Sequence, residues 1–395
     1  MKKPRLLISH PRLRPSGGGN LVGAWVIQAL ADEYEISVAT LEPVDIEALN
    51  LHFGTRLNPG DFEVHLAPRL YNALVDYLPT PGALLEHCLT MRWAQELDRK
   101  YHFDILFSTA NEADFHRKGM QYVHYPWLYL PRPEQELRPY HRIPGFLSMY
   151  RAACMAIGRV QSDGLRRNVA FANSRYVAGL INELYGSDPQ VLYPPVTGHF
   201  SDVAWGQRRL AAAAVGRIHR GKRWDMAVQI VDAVRDKGHD LSLTLIGHPD
   251  SPDFANELRS MAARRPWFRI LENLKRDELL AEVSQHRYGI HPMLEEHFGI
   301  APAELQRSGC IPFVHDSGGQ VEIVGRDERL TFQDVGDGAR KIASVIENQH
   351  LERELRAGTA ARQGWFSERT FCDAVRQAVG VFAGRELPVP CAANS

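Results

Sequence analysis

Two glutamates, Glu296 and Glu304, bracket the segment Glu296-His297-Phe298-Gly299-Ile300-Ala301-Pro302-Ala303-Glu304. Pro302 suits the first turn of a helix, where its missing N–H is not needed. The segment therefore reads as a strand-to-helix junction at which Phe298, Gly299 and Ile300 offer backbone N–H groups to an anion or a sugar hydroxyl. Taken alone, two carboxylates at this spacing read as solvated surface charge. A second cluster, Gly216-Arg217-Ile218-His219-Arg220-Gly221-Lys222, puts a guanidinium fork and an ammonium point charge in one loop. Such a pair can clamp two phosphates from different directions, and its bland reading is a basic loop ahead of a helix. Gly17-Gly18-Gly19-Asn20 is a glycine turn that lets backbone approach a diphosphate or a sugar closely, although it is neither GxGxxG nor a P-loop with its lysine. His124, followed by Tyr125-Pro126-Trp127, ends an apolar run and reads equally as a structural or a functional histidine. Gly318-Gly319 with Glu322 forms a further loop after an apolar run. The sequence holds no HExxH, EF-hand loop, GxSxG or DxD, so it predicts no metal site.

The elements that must hold these residues come from the hydrophobic pattern. Arg5 to His10, Tyr34 to Ala39, Phe103 to Phe107, Gln121 to His124 and Val169 to Ala172 are short apolar runs with helical stretches between them. Strands alternating with helices predict a mostly parallel sheet covered on both faces. Pro194-Pro195 favours extended backbone and reads as a linker. After Trp205 the alternation restarts, with strands near Leu210 to Val215, Leu241 to Ile246, Phe268 to Leu271, Tyr288 to His291 and Ile311 to His315. The predicted fold class is therefore α/β: two doubly wound, Rossmann-like domains, 1–196 and 205–370, with a ligand in the central cleft between the carboxyl ends of their strands. Residues 371–395 read as a helix and tail that cross back toward the first domain.

A chain of 395 residues has room for two domains at roughly 100 to 200 residues each. With 46 basic and 47 acidic residues there is no global field to mark a nucleic-acid binder, so any polyanion site must be local. Leu6-Leu7-Ile8 is too short for the core of a signal peptide, and no run approaches the ~18 apolar residues that cross a bilayer. Five cysteines without a CxxC suit a reducing compartment. The expectation is a cytoplasmic protein.

In this order, these pieces resemble the retaining, two-domain nucleotide-sugar glycosyltransferases of the GT-B fold. Glu296 through Glu304, continued by Ser308-Gly309-Cys310-Ile311-Pro312 and Ser317-Gly318-Gly319, is similar to that family's E-x7-E signature and glycine loop. Val215-Gly216-Arg217-Ile218 with Lys222 and Asp225, Leu245-Ile246-Gly247, Ala172-Asn173-Ser174 and Leu192-Tyr193-Pro194-Pro195-Val196 fall at the family's order and spacing, so the resemblance covers nearly the whole chain. Glu296 to Ile300 and His124-Tyr125-Pro126 are most similar to the mannosyltransferases that extend a lipid-pyrophosphate-linked oligosaccharide with α-1,2-mannose. His297 stands where the wider family more often has Gly or Ser, and Met293 where Ser is usual.

The resemblance implies that Glu304 bonds the donor ribose and that Arg217 and Lys222 neutralise the diphosphate. Glu296, with the backbone at His297, Phe298, Gly299 and Ile300, would hold the transferred sugar, and His124 would contact it from the first domain. Gly17, Gly18 and Gly19 would line the diphosphate and acceptor side, while the base would rest on Gly247 and Asn273-Leu274-Lys275. It implies a nucleotide diphosphate sugar as substrate, GDP-mannose first, with no cofactor and no metal, and a glycan or lipid-linked glycan as acceptor. The alternative weighed is a catalytically inactive nucleotide-sugar-binding or scaffold protein. A synthase of the starch type lacks support because no Lys-x-Gly-Gly occurs in the first loop, and no lysine suggests the pyridoxal anchor of a phosphorylase. Segment 131–167 carries Arg132, Arg138, Arg142, Arg151, Arg159, Arg166 and Arg167 against Glu134, Glu136 and Asp163, interleaved with apolar residues. It predicts a helix lying peripherally on the inner face of an anionic membrane, or one packed into the first domain with solvated arginines.

Overall fold

The computed structural model describes residues 2–76, 83–128, 143 and 145–385. Parallel strands are stable when both faces are covered, and the strands of this chain are apolar on both. In β1 (Arg5–Ser9), Leu6 and Ile8 point into one buried cluster and Leu7 into another. β1 pairs in parallel with β2 (Glu35–Thr40), which pairs with β3 (Phe62–Leu66). On its other side β1 pairs with β4 (Ile105–Ser108), followed outward by β5 (Met120–Val123), β6 (Val169–Ala172) and β7 (Gln190–Val191). Among the described residues the first sheet thus runs β3-β2-β1-β4-β5-β6-β7.

The second half repeats the plan. β8 (Arg209–Val215) lies at the centre, flanked by β9 (Ser242–Gly247) and β10 (Phe268–Glu272) on one side. On the other lie β11 (His286–His291), β12 (Ile311–His315) and β13 (Thr331–Phe332). Ala212 and Ala214 of β8 face the larger core with Trp224, whereas Ala213 and Val215 face Leu305 and Cys310. Alanines on both faces let the helices Trp224–Arg235 and Ile300–Arg307 pack close to this strand. In both sheets strand order reverses beside the first strand, between β1 and β4 and between β8 and β11. These are the switch points where doubly wound sheets open a crevice at their carboxyl ends. Two Rossmann-like domains with these edges facing each other make the GT-B fold.

The last described helix, Glu368–Phe382, belongs spatially to the first domain. Phe371, Cys372, Val375 and Val379 pack in the cluster that holds Leu6, Ile8 and Val22, and Arg376 donates to the carbonyl of Ala29 at 2.9 Å. The connection after β7 is clamped by the second domain: Val196 N–H donates to Phe366 O at 2.8 Å, and Arg276 donates to Thr197 O at 2.6 Å. Val196, Phe298, Ala303, Ile323 and Phe366 form a buried knot at this hinge.

Helix Phe146–Gly158 corrects part of the basic-face expectation. Arg151 turns inward and donates to the carbonyls of Trp127 and Leu128 at 3.1 and 3.3 Å. Cys154 and Gly158 are buried, whereas Phe146, Met149 and Ile157 stand exposed. The outer face of this helix is therefore apolar, while Arg159, Arg166 and Arg167 just beyond it are exposed as expected. Helix Arg69–Asp76 adds exposed Leu70 and Leu74, and Arg92 joins the two helices by lying over the Tyr71 ring and donating to Ile157 O at 3.1 Å. Arg132, Arg138 and Arg142 lie outside the described residues. Among the described residues no helix is long and apolar enough to cross a membrane.

Glu322 holds the two domains together. This buried carboxylate of the second domain accepts the N–H groups of Arg175 and Tyr176, at the start of helix Arg175–Tyr185, at 2.9 and 3.0 Å. It also accepts the Tyr193 hydroxyl at 2.8 Å. Negative charge at a helix start is favourable, and hydrogen bonds to an ionised group contribute more than neutral ones. We expect Glu322→Ala to loosen the closed arrangement, leaving three donors without their acceptor and costing on the order of 3 kcal/mol. Small-angle scattering should show a larger radius of gyration and calorimetry a lower melting temperature; an unchanged radius would show that the apolar knot alone fixes the domains.

Candidate active site

The second domain's switch point gathers charge. β8 ends at Val215, and the loop beyond it carries Arg217 and then a short turn, Arg220–Lys222, that leads into helix Trp224–Arg235. β11 ends at His291, and Glu296 follows in the next loop. Parallel pairing of β8 with β11 brings these two loops side by side. Lys222 Nζ lies 2.6 Å from Glu296 Oε2, and His291 Nε2 lies 3.1 Å from the same oxygen. Because a carboxylate only accepts, His291 Nε2 carries the proton and donates it. The Lys222 and Glu296 side chains are 14% and 16% exposed. Burial pushes the Glu296 carboxyl upward, but the Lys222 ammonium and the His291 hydrogen bond outweigh it and hold it well below the usual carboxylate range. His291 is itself pulled below its ordinary value, chiefly by burial, so the ring is neutral at pH 7.

The remaining expected residues fall around this pair, in different states of engagement. Arg217 is largely exposed and pairs with Asp250 at 2.8 Å, away from Glu296. Glu304, buried in helix Ile300–Arg307, bonds Arg276, whose other arm takes Thr197 O at 2.6 Å. The Phe298 ring is buried in the hinge knot beside Tyr193 and Phe366. Gly299 caps the helix at φ +104°, a conformation that L side chains avoid, and no side chain caps the helix there. Gly247 ends β9 where an added Cβ would collide with the Gly216 carbonyl, so this glycine permits contact between two loops. Asn273 adopts positive φ, donates its N–H to Gly247 O at 3.1 Å and meets His248 Nδ1 at 2.5 Å. Leu274 is partly buried, and Lys275 opens helix Arg276–Val283 with its N–H on Glu278 at 2.9 Å. Gly247, Asn273, Leu274 and Lys275 therefore share one edge of the crevice.

Across the cleft stands the first domain's glycine turn, at the start of helix Gly18–Leu30. A Cβ on Gly18 would lie 2.7 Å from Ile300 Cδ1, and one on Gly19 would lie 3.5 Å from His124 Nε2. Gly17 precedes them at φ +76°. His297 stacks on Tyr125 with ring centroids 4.2 Å apart, and its carbonyl accepts Ser174 Oγ at 2.5 Å. His124 Nε2 reaches the Thr109 carbonyl at 3.0 Å, so it carries the proton and leaves Nδ1 as an acceptor. Burial lowers His124 to about 4, which keeps it neutral. His10 follows the same logic: Asn20 Oδ1 receives its Nε2 proton at 2.7 Å, and Nδ1 accepts from Thr109 Oγ1 at 2.9 Å.

His10, His291, Arg276 and Thr109 take part in the site without having been singled out by sequence reasoning. A signal existed for two of them. His10 directly follows β1 ahead of the glycine turn, and His291 ends β11 just ahead of Glu296. Arg276 gave none, because its partner Glu304 is remote in sequence.

Residues 200–364 match the family described as Glycosyl transferases group 1. The second domain is a group 1 glycosyl transferase domain. Curated relatives of the chain include the GDP-Man:Man(3)GlcNAc(2)-PP-Dol alpha-1,2-mannosyltransferase of Mus musculus, 26% identical over 228 residues, covering 52% of this chain and 46% of the relative. The human protein of that name is 25% identical over 228 residues with the same coverage of 52% and 46%. The chain thus spans about half the length of the curated relatives it matches. Among solved structures, WaaG, a glycosyltransferase involved in lipopolysaccharide biosynthesis, superposes with TM-score 0.65 at 12% identity, covering 94% of this chain and 99% of that one. Anabaena HepE, solved with UDP and glucose, superposes with TM-score 0.63 at 14% identity, covering 95% and 99%. Both share the two-domain GT-B fold of this chain.

The buried histidines make stability depend on pH. His10 and His286 are 3% and 0% exposed, and burial lowers each from 6.5 to about 4. Unfolded, they take up protons near 6.5; folded, they resist until about 4. Their contribution is complete above the unfolded value and is lost as pH falls between the two values, by about 1.4 kcal/mol per pH unit for each histidine. We expect the melting temperature to drop steadily across that window in scanning fluorimetry. A flat profile would contradict their neutral state.

Proposed function

We propose that the chain moves a mannose-type hexose from GDP-mannose to a hydroxyl of a lipid-linked glycan, with retention at the anomeric carbon and without a metal or a cofactor. The observation that carries this reading is the buried Lys222–Glu296–His291 cluster, set opposite His124 and the Gly17 to Gly19 turn across the cleft. The likeness to α-1,2-mannosyltransferases that use lipid-linked oligosaccharides supports the choice of donor and acceptor.

In this reading Lys222 and Arg217 face the donor diphosphate, and positive charge there stabilises the phosphate as the bond from sugar C1 to its oxygen breaks. Arg217 leaves Asp250 to do so, a cheap move for an exposed pair. Glu296 accepts hydroxyls of the transferred sugar, aided by the backbone N–H groups at the helix start from His297 to Ile300. His124 Nδ1 accepts a further sugar hydroxyl from the first domain. Glu304, oriented by Arg276, binds the ribose, and the base lies along Gly247 and Asn273 to Lys275. The acceptor oxygen attacks C1 from the face the phosphate leaves, and its proton passes to the departing phosphate oxygen. The configuration is thereby retained without a protein nucleophile.

Kinetics on purified protein test these roles. GDP-mannose should raise the melting temperature more than UDP-glucose. Glu304→Ala should weaken donor binding, whereas Glu296→Ala should chiefly lower kcat, because sugar contacts can tighten in the transition state. Lys222→Ala should raise the barrier by about 3 kcal/mol, and turnover should persist in EDTA. Donor binding without any transfer would favour the inactive scaffold, and a strict divalent-metal requirement would remove the metal-independent mechanism.

The acceptor side of the proposal is a peripheral contact with an anionic bilayer, made by the apolar outer faces of helices Phe146–Gly158 and Arg69–Asp76. Wild-type protein should float with anionic liposomes. Met149→Glu with Ile157→Glu should keep it in the soluble fraction while transfer to a soluble glycan is unaffected. Flotation that the double variant retains would exclude this face.

A further inference from the structure

At the amino-terminal edge of the second sheet, away from the cleft, lies a cavity of about 520 Å³ lined by Asp202, Trp205, Arg208, Arg353, Arg356 and Thr359, among others. Arg208 immediately precedes β8, a seven-residue strand that spans roughly 20 Å before reaching the Gly216 loop. The cavity is therefore separate from the donor crevice. Its size falls in the range of small-molecule sites.

The lining carries an excess of positive charge, with Arg208, Arg353 and Arg356 against the single carboxylate of Asp202. Arg208 is 7% exposed and spends its hydrogen bonds on the carbonyls of Val203 and His286 at 3.0 and 3.2 Å. Arg353 bonds Gln349 O at 3.2 Å, and the Arg356 guanidinium lies 4.3 Å from the Trp205 ring centre. Among the described residues no carboxylate forms an ion pair with any of these three arginines. Arg208 also lies against Trp205, at 5.9 Å, so the indole gathers like charges that repel one another. Thr359 is 2% exposed, and its Oγ1 has no hydrogen-bond partner among the described residues. A buried hydroxyl without a partner is costly, and here it borders an open cavity.

We propose that this cavity is a second anion site that binds a phosphate group. Guanidinium forks match phosphate oxygens, and all the guanidinium groups are donors, so the ligand must accept. Thr359 supplies a further donor at the wall, and Asp202 at the rim can accept a hydroxyl of a phosphate ester. Calorimetric titration of the full chain tests the assignment, with inorganic phosphate and mannose 6-phosphate as probes and saturating GDP filling the donor crevice. Both probes should bind in the presence of GDP and in Lys222→Ala. Arg353→Ala with Arg356→Ala, checked for fold by circular dichroism, should weaken binding by about tenfold or more. Thr359→Val, which keeps the shape and removes the hydroxyl, should weaken it several-fold. Tighter binding of the ester would identify a phosphomonoester as the ligand, and equal binding would identify free phosphate. Absence of heat with both probes, competition by GDP, or full affinity in Thr359→Val and in the double arginine variant would overturn the proposal.

Discussion

The ion pair between Lys222 and Glu296 is the constraint around which the second domain's crevice is arranged. Two charges with little solvent cost more to bury than their mutual attraction returns unless further hydrogen bonds complete the geometry. His291 supplies one such bond, and its own neutrality follows from burial beneath the pair. Holding these three groups requires β8 and β11 to be adjacent and parallel, and it requires the two following loops to emerge at the same edge. The alanine-rich β8 and the glycine at the end of β9 serve that requirement by letting helices and loops approach closely. The pair satisfies both of its charges within the protein. In the proposed reaction a donor phosphate would take the ammonium while sugar hydroxyls take the carboxylate, so that neither charge is left alone.

The first domain completes the site through its position relative to the second. Three devices set that position. Glu322 binds backbone and side-chain donors from the opposite domain, the Ser174 hydroxyl reaches the His297 carbonyl, and the knot around Val196, Phe298 and Phe366 packs the hinge. Helix Glu368–Phe382 returns the chain to the first domain, so both ends of the hinge are tied. The polar latches are few and discrete, whereas the knot is apolar. A hinge of that composition can rotate about its apolar centre while exchanging a handful of hydrogen bonds. In the proposed transfer, donor entry and product release would use such freedom.

The neutral histidines of the first domain illustrate how burial selects a protonation state. His10 and His124 converge on Thr109, one accepting its hydroxyl proton and the other donating to its carbonyl. Each hydrogen bond fixes a tautomer, and each tautomer fixes which nitrogen donates and which accepts. His124 thus keeps Nδ1 as an acceptor and, being neutral, brings no positive charge of its own. Positive charge in the cleft comes from the opposite domain, from Lys222 and Arg217.

By itself the sequence determined the two-fold α/β plan, because apolar runs alternating with helical periods admit few other arrangements. It also placed Glu296, Arg217, Lys222, His124 and the glycine turn beyond strand ends and Glu304 on the helix that follows, since local pattern marks where each strand stops. It did not reveal β3, β7 and β13: β3 is a partly exposed edge with charge in its pattern, and the other two are only two residues long. The tertiary structure decided what each charge touches. Lys222 met Glu296 rather than solvent, Arg217 turned to Asp250, Arg276 took Glu304, and Arg151 turned into the domain it was expected to decorate. These outcomes depend on which elements become neighbours across gaps of tens of residues. Side-chain pairing at that range is settled by packing and desolvation, which leave no periodic trace in the chain.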